Sequence, residues 1–281
     1  MIYQQLVTLL ACPDCRSKVE QIDVRRLRCG GCGREYAITE DDILVMMPTS
    51  SKPLPDAYND PDYIRMSAHF DDSSPYFTDG NTVFRAIHES AHRKIAGWME
   101  SGPQDGWVCD IGCGQGYHYR YVKAPERVIG LDIRLDSLRR VRNISPLTPL
   151  IQADSCALPF KTGVIATAIS IYAFEHIYYL RDTLAETARI LEPKARLFVG
   201  LPCEGGIAWT LGRKITSERA MSRRYNVDYR KYIALEHCNT ASRVMTTLEE
   251  FFDRDRRWYF PLSMLPTVHS NLTVALALTR R

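Results

Sequence analysis

From residue 107 onward the chain repeats one cadence. A short apolar run ends in a glycine or an acid, and a stretch with helical spacing follows. Residues 107–111, 127–132, 149–153, 164–171 and 196–201 are the apolar runs, and residues 135–141 and 180–191 carry helical spacing between them. Strands separated by helices are expected to pair in parallel, because each crossover returns the chain to the same end of the sheet. The run 164–171 is apolar at both alternations, as a central strand covered on two faces requires. The cadence predicts an α/β fold with a Rossmann-like, doubly wound sheet.

In such sheets ligands bind beyond the carboxyl ends of the strands, where the strand order reverses. The first strand ends in Asp110-Ile-Gly-Cys-Gly-Gln-Gly116. Gly112, Gly114 and Gly116 allow a sharp turn and let backbone lie against a ligand, with Cys113 between them. A dinucleotide fingerprint would place its third glycine one residue later, where Tyr117 stands. Asp110, two residues before the first glycine, favours a ligand with an amino group over one with a pyrophosphate. Asp132 ends the second strand, followed by Ile133, and is placed to accept hydrogen bonds from ribose hydroxyls. Asp154 ends the third strand, and the loop Ser155-Cys156-Ala-Leu-Pro-Phe160 can cover an adenine ring.

Over residues 107–203 the chain resembles the class I S-adenosylmethionine-dependent methyltransferases. The resemblance implies that Asp110 and the glycine run meet the methionine end of S-adenosylmethionine. It implies that Asp132 and Ile133 meet the ribose, that Asp154, Ser155 and Cys156 meet the adenine, and that Ile171, ending the fourth strand, borders the cofactor. Phe174-Glu-His176 and Arg189-Ile-Leu-Glu-Pro193 are similar to the family's motifs after the fourth strand and before the fifth. One departure is the usual Pro-Gly-Gly, which here reads Pro193-Lys-Ala.

Cys12, Cys15, Cys29 and Cys32 form two C-x-x-C knuckles, a pattern that predicts a structural zinc site with all four positions taken by thiolate. Residues 1–50 offer too small an apolar core to fold without such a staple. The knuckles, with Tyr36-Ala-Ile38 and Asp42-Ile-Leu-Val45, resemble the small zinc-ribbon proteins that activate methyltransferases. Residues 51–106 read as a linker and a helical extension, in which Val83, Phe84, Ile87, Ala91, Ile95 and Trp98 share a face. Ser101-Gly-Pro103 is the expected stop of that helix. Residues 107–281 read as the methyltransferase domain, with 204–245 inserted as a helical lid. A helix over 247–252 and strands over 257–260 and 271–278 are expected to close it.

Several signals bear on chemistry. His176 follows the fourth strand and His237 sits on the lid; both are candidate catalytic bases. His88-Glu-Ser-Ala-His92 matches the zinc-protease pattern H-E-x-x-H but lacks an evident third ligand. The lid mixes bases (Arg213, Lys214, Arg219, Arg223, Arg224, Arg230, Lys231) with aromatics, suiting either an anionic ligand or ion pairs with Glu218, Asp228 and Glu236. No apolar run approaches the length of a membrane span, and the N-terminus lacks the features of a signal peptide. Nine cysteines, five of them scattered singly, point to a reducing, cytoplasmic setting rather than a disulfide framework. The first 50 residues balance their acids and bases, which argues against an RNA grip there. The sequence therefore predicts methyl transfer to a small or glycan-like acceptor. Methylation of rRNA or tRNA, or a non-catalytic cofactor-binding scaffold, are the alternatives.

Overall fold

A computed structural model of the chain describes residues 5–68, 82–101, 105–226 and 228–281. Gly102 and Pro103 of the expected helix stop lie outside these residues, as do the side chains of Arg219, Arg224 and Tyr225 on the lid.

An eight-stranded mixed sheet organises the chain. Its strands are β4 (Ile43–Val45), β5 (Val108–Ile111), β6 (Val128–Asp132), β7 (Leu150–Gln152), β8 (Ile165–Ile171), β9 (Leu191–Pro202), β10 (Phe252–Phe260) and β11 (Thr273–Arg280). They lie in the order β10-β11-β9-β8-β5-β6-β7-β4. β4 to β9 run parallel, and β11 inserts antiparallel between β9 and β10. The order reverses between β5 and β8, which puts the switch point at the end of the glycine-bearing strand.

The period-two alternation decides which face each residue covers. Leu197, Val199 and Leu201 of β9 and Val274, Leu276 and Leu278 of β11 enter one core. Phe198 of β9 and Ala275 and Ala277 of β11 enter the other, beneath Ala91 and Ile95 of helix α2 (Thr82–Glu100). The small alanines let that helix approach the sheet. Helix α3 (Leu135–Ile144) covers β6 and β7 through Leu138 and Val141. Helix α4 (Leu180–Ile190) contributes Leu180, Leu184 and Ile190 to the first core. Each fully buried Leu, Ile or Val contributes about 1.5–3 kcal/mol.

Three strands, β1 (Val19–Asp23), β2 (Arg26–Cys29) and β3 (Glu35–Ala37), form a separate antiparallel sheet around the cysteine knuckles. The ribbon does not stop there. β4 leaves it to pair in parallel with β7, and Leu6, Leu10, Leu27 and Leu44 share the first core with the large sheet.

Helix α1 (Pro61–Ala68) packs on the lid, which consists of α5 (Ile207–Ile215), α6 (Ser217–Tyr225) and α7 (Tyr229–Glu236). Their meeting point buries Met66, Met221, Tyr229, Tyr232 and Ile233. The end of the chain departs from expectation. Helix α8 spans Ala241–Leu248, and β10 already begins at Phe252, so residues 249–252 are not a helix end. Residues 253–256 fall outside the expected strand over 257–260 because β10 is an edge strand whose side chains there are exposed. In place of the family's glycine, Lys194 takes the left-handed conformation, at φ 62°.

Candidate active site

A cleft of about 780 Å³ opens at the carboxyl ends of β5, β6, β7 and β8. Its floor is the glycine loop. Gly112 has φ 72°, and a Cβ there would stand 2.6 Å from Ala173 Cβ, so the turn and the contact both exclude a side chain. Gly114 is the opposite case. With φ 53° it has open space where a Cβ would point, and it lines the cleft, leaving room for a ligand against bare backbone.

Asp110, Asp132 and Asp154 all line this cleft, with Ile133, Ser155, Cys156 and Ile171. Asp110 is buried, and burial pushes its carboxyl up to about 7; the Asp132 charge adds to the rise while Tyr119 opposes it. An ionised Asp110 therefore wants a cationic partner. Asp132 is fixed by two backbone donors, Gly114 N to Oδ2 and Arg134 N to Oδ1, both at 2.9 Å. Asp154 accepts from Cys156 N at 2.8 Å, which shapes the loop beneath the third strand end. Gly116, expected within the site, serves a different need. At φ 77° it turns the chain against Tyr119 and Val141, and it does not line the cleft. This donor set fits the expected cofactor: a buried acid for an ammonium, a fixed acid for hydroxyls, and an apolar loop for a base.

His176 lines the cleft beyond β8. Its Nδ1 lies 2.9 Å from the Glu236 carbonyl and 3.3 Å from the Glu236 carboxylate, while its Nε2 is 3.9 Å from Glu175. Burial opposes charge on this ring. The Glu236 hydrogen bond and the two carboxylates outweigh it, raising His176 to about 9. Glu236 is held low in turn, to about 2, and receives the Tyr63 hydroxyl at 3.1 Å. His237 is absent from the cleft wall. Its ring packs edge-on against His176 at 4.7 Å, and Nδ1 lies 3.0 Å from Glu204. It packs behind His176 without lining the cleft.

The lid acids do not serve the lid bases as expected. Glu236 faces His176, and Asp228 accepts from Arg230 N and Lys231 N as the cap of α7. Glu218 alone keeps the expected role, at 3.1 Å from Arg230.

His88 and His92 also reach the cleft wall, joined by His118, which the sequence reading missed. His92 Nδ1 lies 3.2 Å from His118 Nδ1, and burial holds His88 and His118 down at about 4, so both rings are neutral. Glu89 bonds Tyr117 and Arg93. Among the described residues the four knuckle cysteines are the one group of metal-ligating atoms drawn together, so the H-E-x-x-H pattern does not assemble a metal site. The same wall carries Tyr172, a non-glycine residue at φ 57° immediately after β8. Strain of this kind collects at functional sites.

The ribbon's sulfurs lie within 4.8 Å of one another, with Cys12–Cys32 at 3.7 Å and Cys15–Cys29 at 3.4 Å. Tetrahedral thiolates on zinc stand about 3.7 Å apart. Backbone donors aim at sulfur: Cys15 N at Cys12, and Gly31 N and Cys32 N at Cys29. The cluster fits a zinc ribbon.

Comparison with known proteins agrees with the sheet order. Residues 109–199 match the family described as "Methyltransferase domain". The N-methyltransferase NodS of Bradyrhizobium japonicum, solved with S-adenosyl-L-homocysteine, superposes with a TM-score of 0.53 at 14% identity, covering 79% of this chain and 99% of that one. The fold is that of the class I methyltransferases. A protein of Mycobacterium tuberculosis described as a probable S-adenosylmethionine-dependent methyltransferase is 26% identical over 43% of this chain and 44% of its own length. The malonyl-[acyl-carrier protein] O-methyltransferase of Salmonella typhimurium is 31% identical over 38% of this chain and 43% of its own. The matched segment thus spans less than half the length of these curated relatives.

Proposed function

We propose that this protein is an S-adenosylmethionine-dependent methyltransferase acting on a small or glycan-like acceptor. One observation carries the reading: three strand-end acids, Asp110, Asp132 and Asp154, converge on one cleft around a glycine that leaves its backbone bare. In this reading Asp110 holds the cofactor's ammonium, Asp132 the ribose, and Asp154 shapes the loop at the adenine with Ser155 and Cys156. The bound cofactor supplies an electrophilic methyl group on sulfonium.

The chain's own work is alignment and exclusion of water. Tyr179 Oη donates to Pro53 O at 2.6 Å and draws the 51–54 segment over the adenine end. Tyr172, Tyr117 and the neutral rings of His88 and His92 wall the acceptor end, with Arg120 lying over the Tyr117 ring. His176, held cationic at neutral pH by Glu236 and Glu175, presents positive charge there rather than a free base. While it remains cationic it also favours an anionic acceptor, which needs no base. The Salmonella relative is an O-methyltransferase. The ribbon's balanced charges support a small acceptor over RNA. The cysteines in this reading hold a structural zinc, Cys12, Cys15, Cys29 and Cys32 filling all four positions.

Radiolabelled S-adenosylmethionine supplied with panels of hydroxy acids, amines, sugars and bulk tRNA tests the reading. Label should pass to a low-molecular-weight acceptor. Transfer to tRNA alone would move the reading to RNA, and tight binding without any transfer would leave a scaffold.

A further inference from the structure

The lid turns an apolar face to water. Ile207, Leu211 and Ile215, spaced at i, i+4 and i+8 on α5, are 70%, 57% and 64% exposed. The opposite side of that helix is anchored. Trp209 Nε1 donates to Glu204 at 2.5 Å, and Arg213 Nη1 reaches the same carboxylate at 3.1 Å. The outward face is therefore fixed by contacts on the inward one.

A second apolar element stands beside it. In the β10–β11 connection Leu262, Met264 and Leu265 are 48%, 91% and 59% exposed. Ala208 N donates to His269 O at 3.0 Å, which seats the start of α5 on this connection. The loop is built. Asn271 is fully buried, and its side chain accepts from Leu262 N at 2.6 Å and donates to Leu265 O at 2.8 Å and Thr267 O at 3.0 Å. A buried amide thus spends its hydrogen bonds holding three large apolar side chains in water, at a cost that only a covering surface recovers.

Charge indicates what covers it. Residues 207–231 carry seven bases (Arg213, Lys214, Arg219, Arg223, Arg224, Arg230, Lys231) and two acids (Glu218, Asp228), a net of +5 in a chain whose total is +3. Lys214 and Arg223 are exposed. Arg213, Arg230 and Lys231 are ion-paired with Glu204, Glu218 and Asp60, so the apolar face of α5 with the exposed Lys214 and Arg223 is what matches an anionic bilayer surface. Position agrees as well. β9 and β10 both run parallel to β5, so the α5 root after β9 and the loop after β10 sit at the end of the sheet that carries the cleft.

We propose that α5 and the 261–266 loop dock this protein onto an anionic membrane surface, with the cleft end of the sheet toward the lipid. The test is flotation of the full chain with vesicles of phosphatidylcholine, with and without about a quarter phosphatidylglycerol. Wild type should float with the anionic vesicles and much less with the neutral ones, and added salt should reduce the bound fraction. A Leu262→Ser/Met264→Ser/Leu265→Ser variant and, separately, Leu211→Ser/Ile215→Ser should each bind at least about tenfold more weakly. Both should keep the near-ultraviolet circular dichroism of wild type, which separates lost docking from lost folding. Wild type that stays unbound at low salt overturns the proposal. So does vesicle binding that both folded variants retain. A concentration-dependent dimer that the variants abolish, without vesicle binding, would assign the patch to a second copy and also overturn it.

Discussion

The ribbon and the lid flank the same cleft, and they are attached to it in opposite ways. The ribbon is sewn to the β7 side of the cleft. β4 pairs with β7 just before Asp154, and Arg16 Nη1 donates to Leu158 O at 2.8 Å just after Cys156. Ala11 N donates to Pro159 O, and Lys161 N to Leu9 O. The lid meets the β8 side of the cleft mostly through side chains, Glu236 at His176, His237 at Glu204 and Tyr63 stacked on Tyr232 at 5.7 Å, with isolated backbone bonds such as Ala208 N to His269 O rather than a ladder. No residue of α5 is buried. Backbone ladders fix position; single polar contacts leave a segment free to adjust. Under the function proposed above, the contrast gives cofactor geometry to the ribbon side and acceptor choice to the lid side.

The contrast breaks most sharply at His176. His176→Ala should lower kcat by about 10²–10³-fold, because it removes the positive charge facing the acceptor, with S-adenosylhomocysteine affinity within about twofold of wild type. Stopped turnover and calorimetry read the two separately. A parallel loss of cofactor affinity would show that the acceptor side also shapes the cofactor side.

The ribbon supplies the next largest effect. Chelation, or Cys29→Ser, should lower the melting temperature and weaken S-adenosylhomocysteine binding by at least about tenfold, because the metal staple holds the knuckle that carries Arg16. Metal analysis of the untreated protein should return one zinc per chain. Unchanged affinity after complete metal loss would mean that the sheet pairing alone secures the adenine loop.

A smaller effect comes from pH. The Asp110 carboxyl is raised by burial to about 7, above its ordinary value of 3.8. The sign follows directly. Asp110 stabilises the ligand-free fold most below pH 3.8, and that contribution is lost as pH rises through 7. A cationic ammonium needs the ionised form, so cofactor affinity should climb as pH rises toward 7 and then level. The slope is at most about tenfold per pH unit. A flat profile between pH 6 and 8 in Asp110→Asn, where wild type slopes, would attribute the dependence to this residue.

The same contrast explains what the sequence reveals. The sheet cadence, the glycine loop and the knuckles are local patterns, and residues close in sequence carry them. Asp110, Asp132 and Asp154 are legible because parallel strands deliver their ends to one edge. The His176–Glu236 pair is not, since 60 residues and a lid separate its members. Nor is the fate of Ile43-Leu-Val45, a run too short to show whether it closes the ribbon or extends the large sheet. His118 hid behind the glycine motif, where nothing in its spacing points toward His92. The first half of β10 hid because an exposed edge strand need not alternate, while its end, 257–260, is legible.

The central claim is that the strand-end acids bind the methyl donor. Calorimetry of S-adenosylhomocysteine with wild type and Asp132→Ala tests it most directly. Two backbone N–H groups, Gly114 and Arg134, already hold the Asp132 carboxylate in place. The account predicts saturable one-to-one binding to wild type and a loss of about 2 kcal/mol or more in the variant, close to thirtyfold, with folding intact. Equal affinity in the two proteins would contradict it.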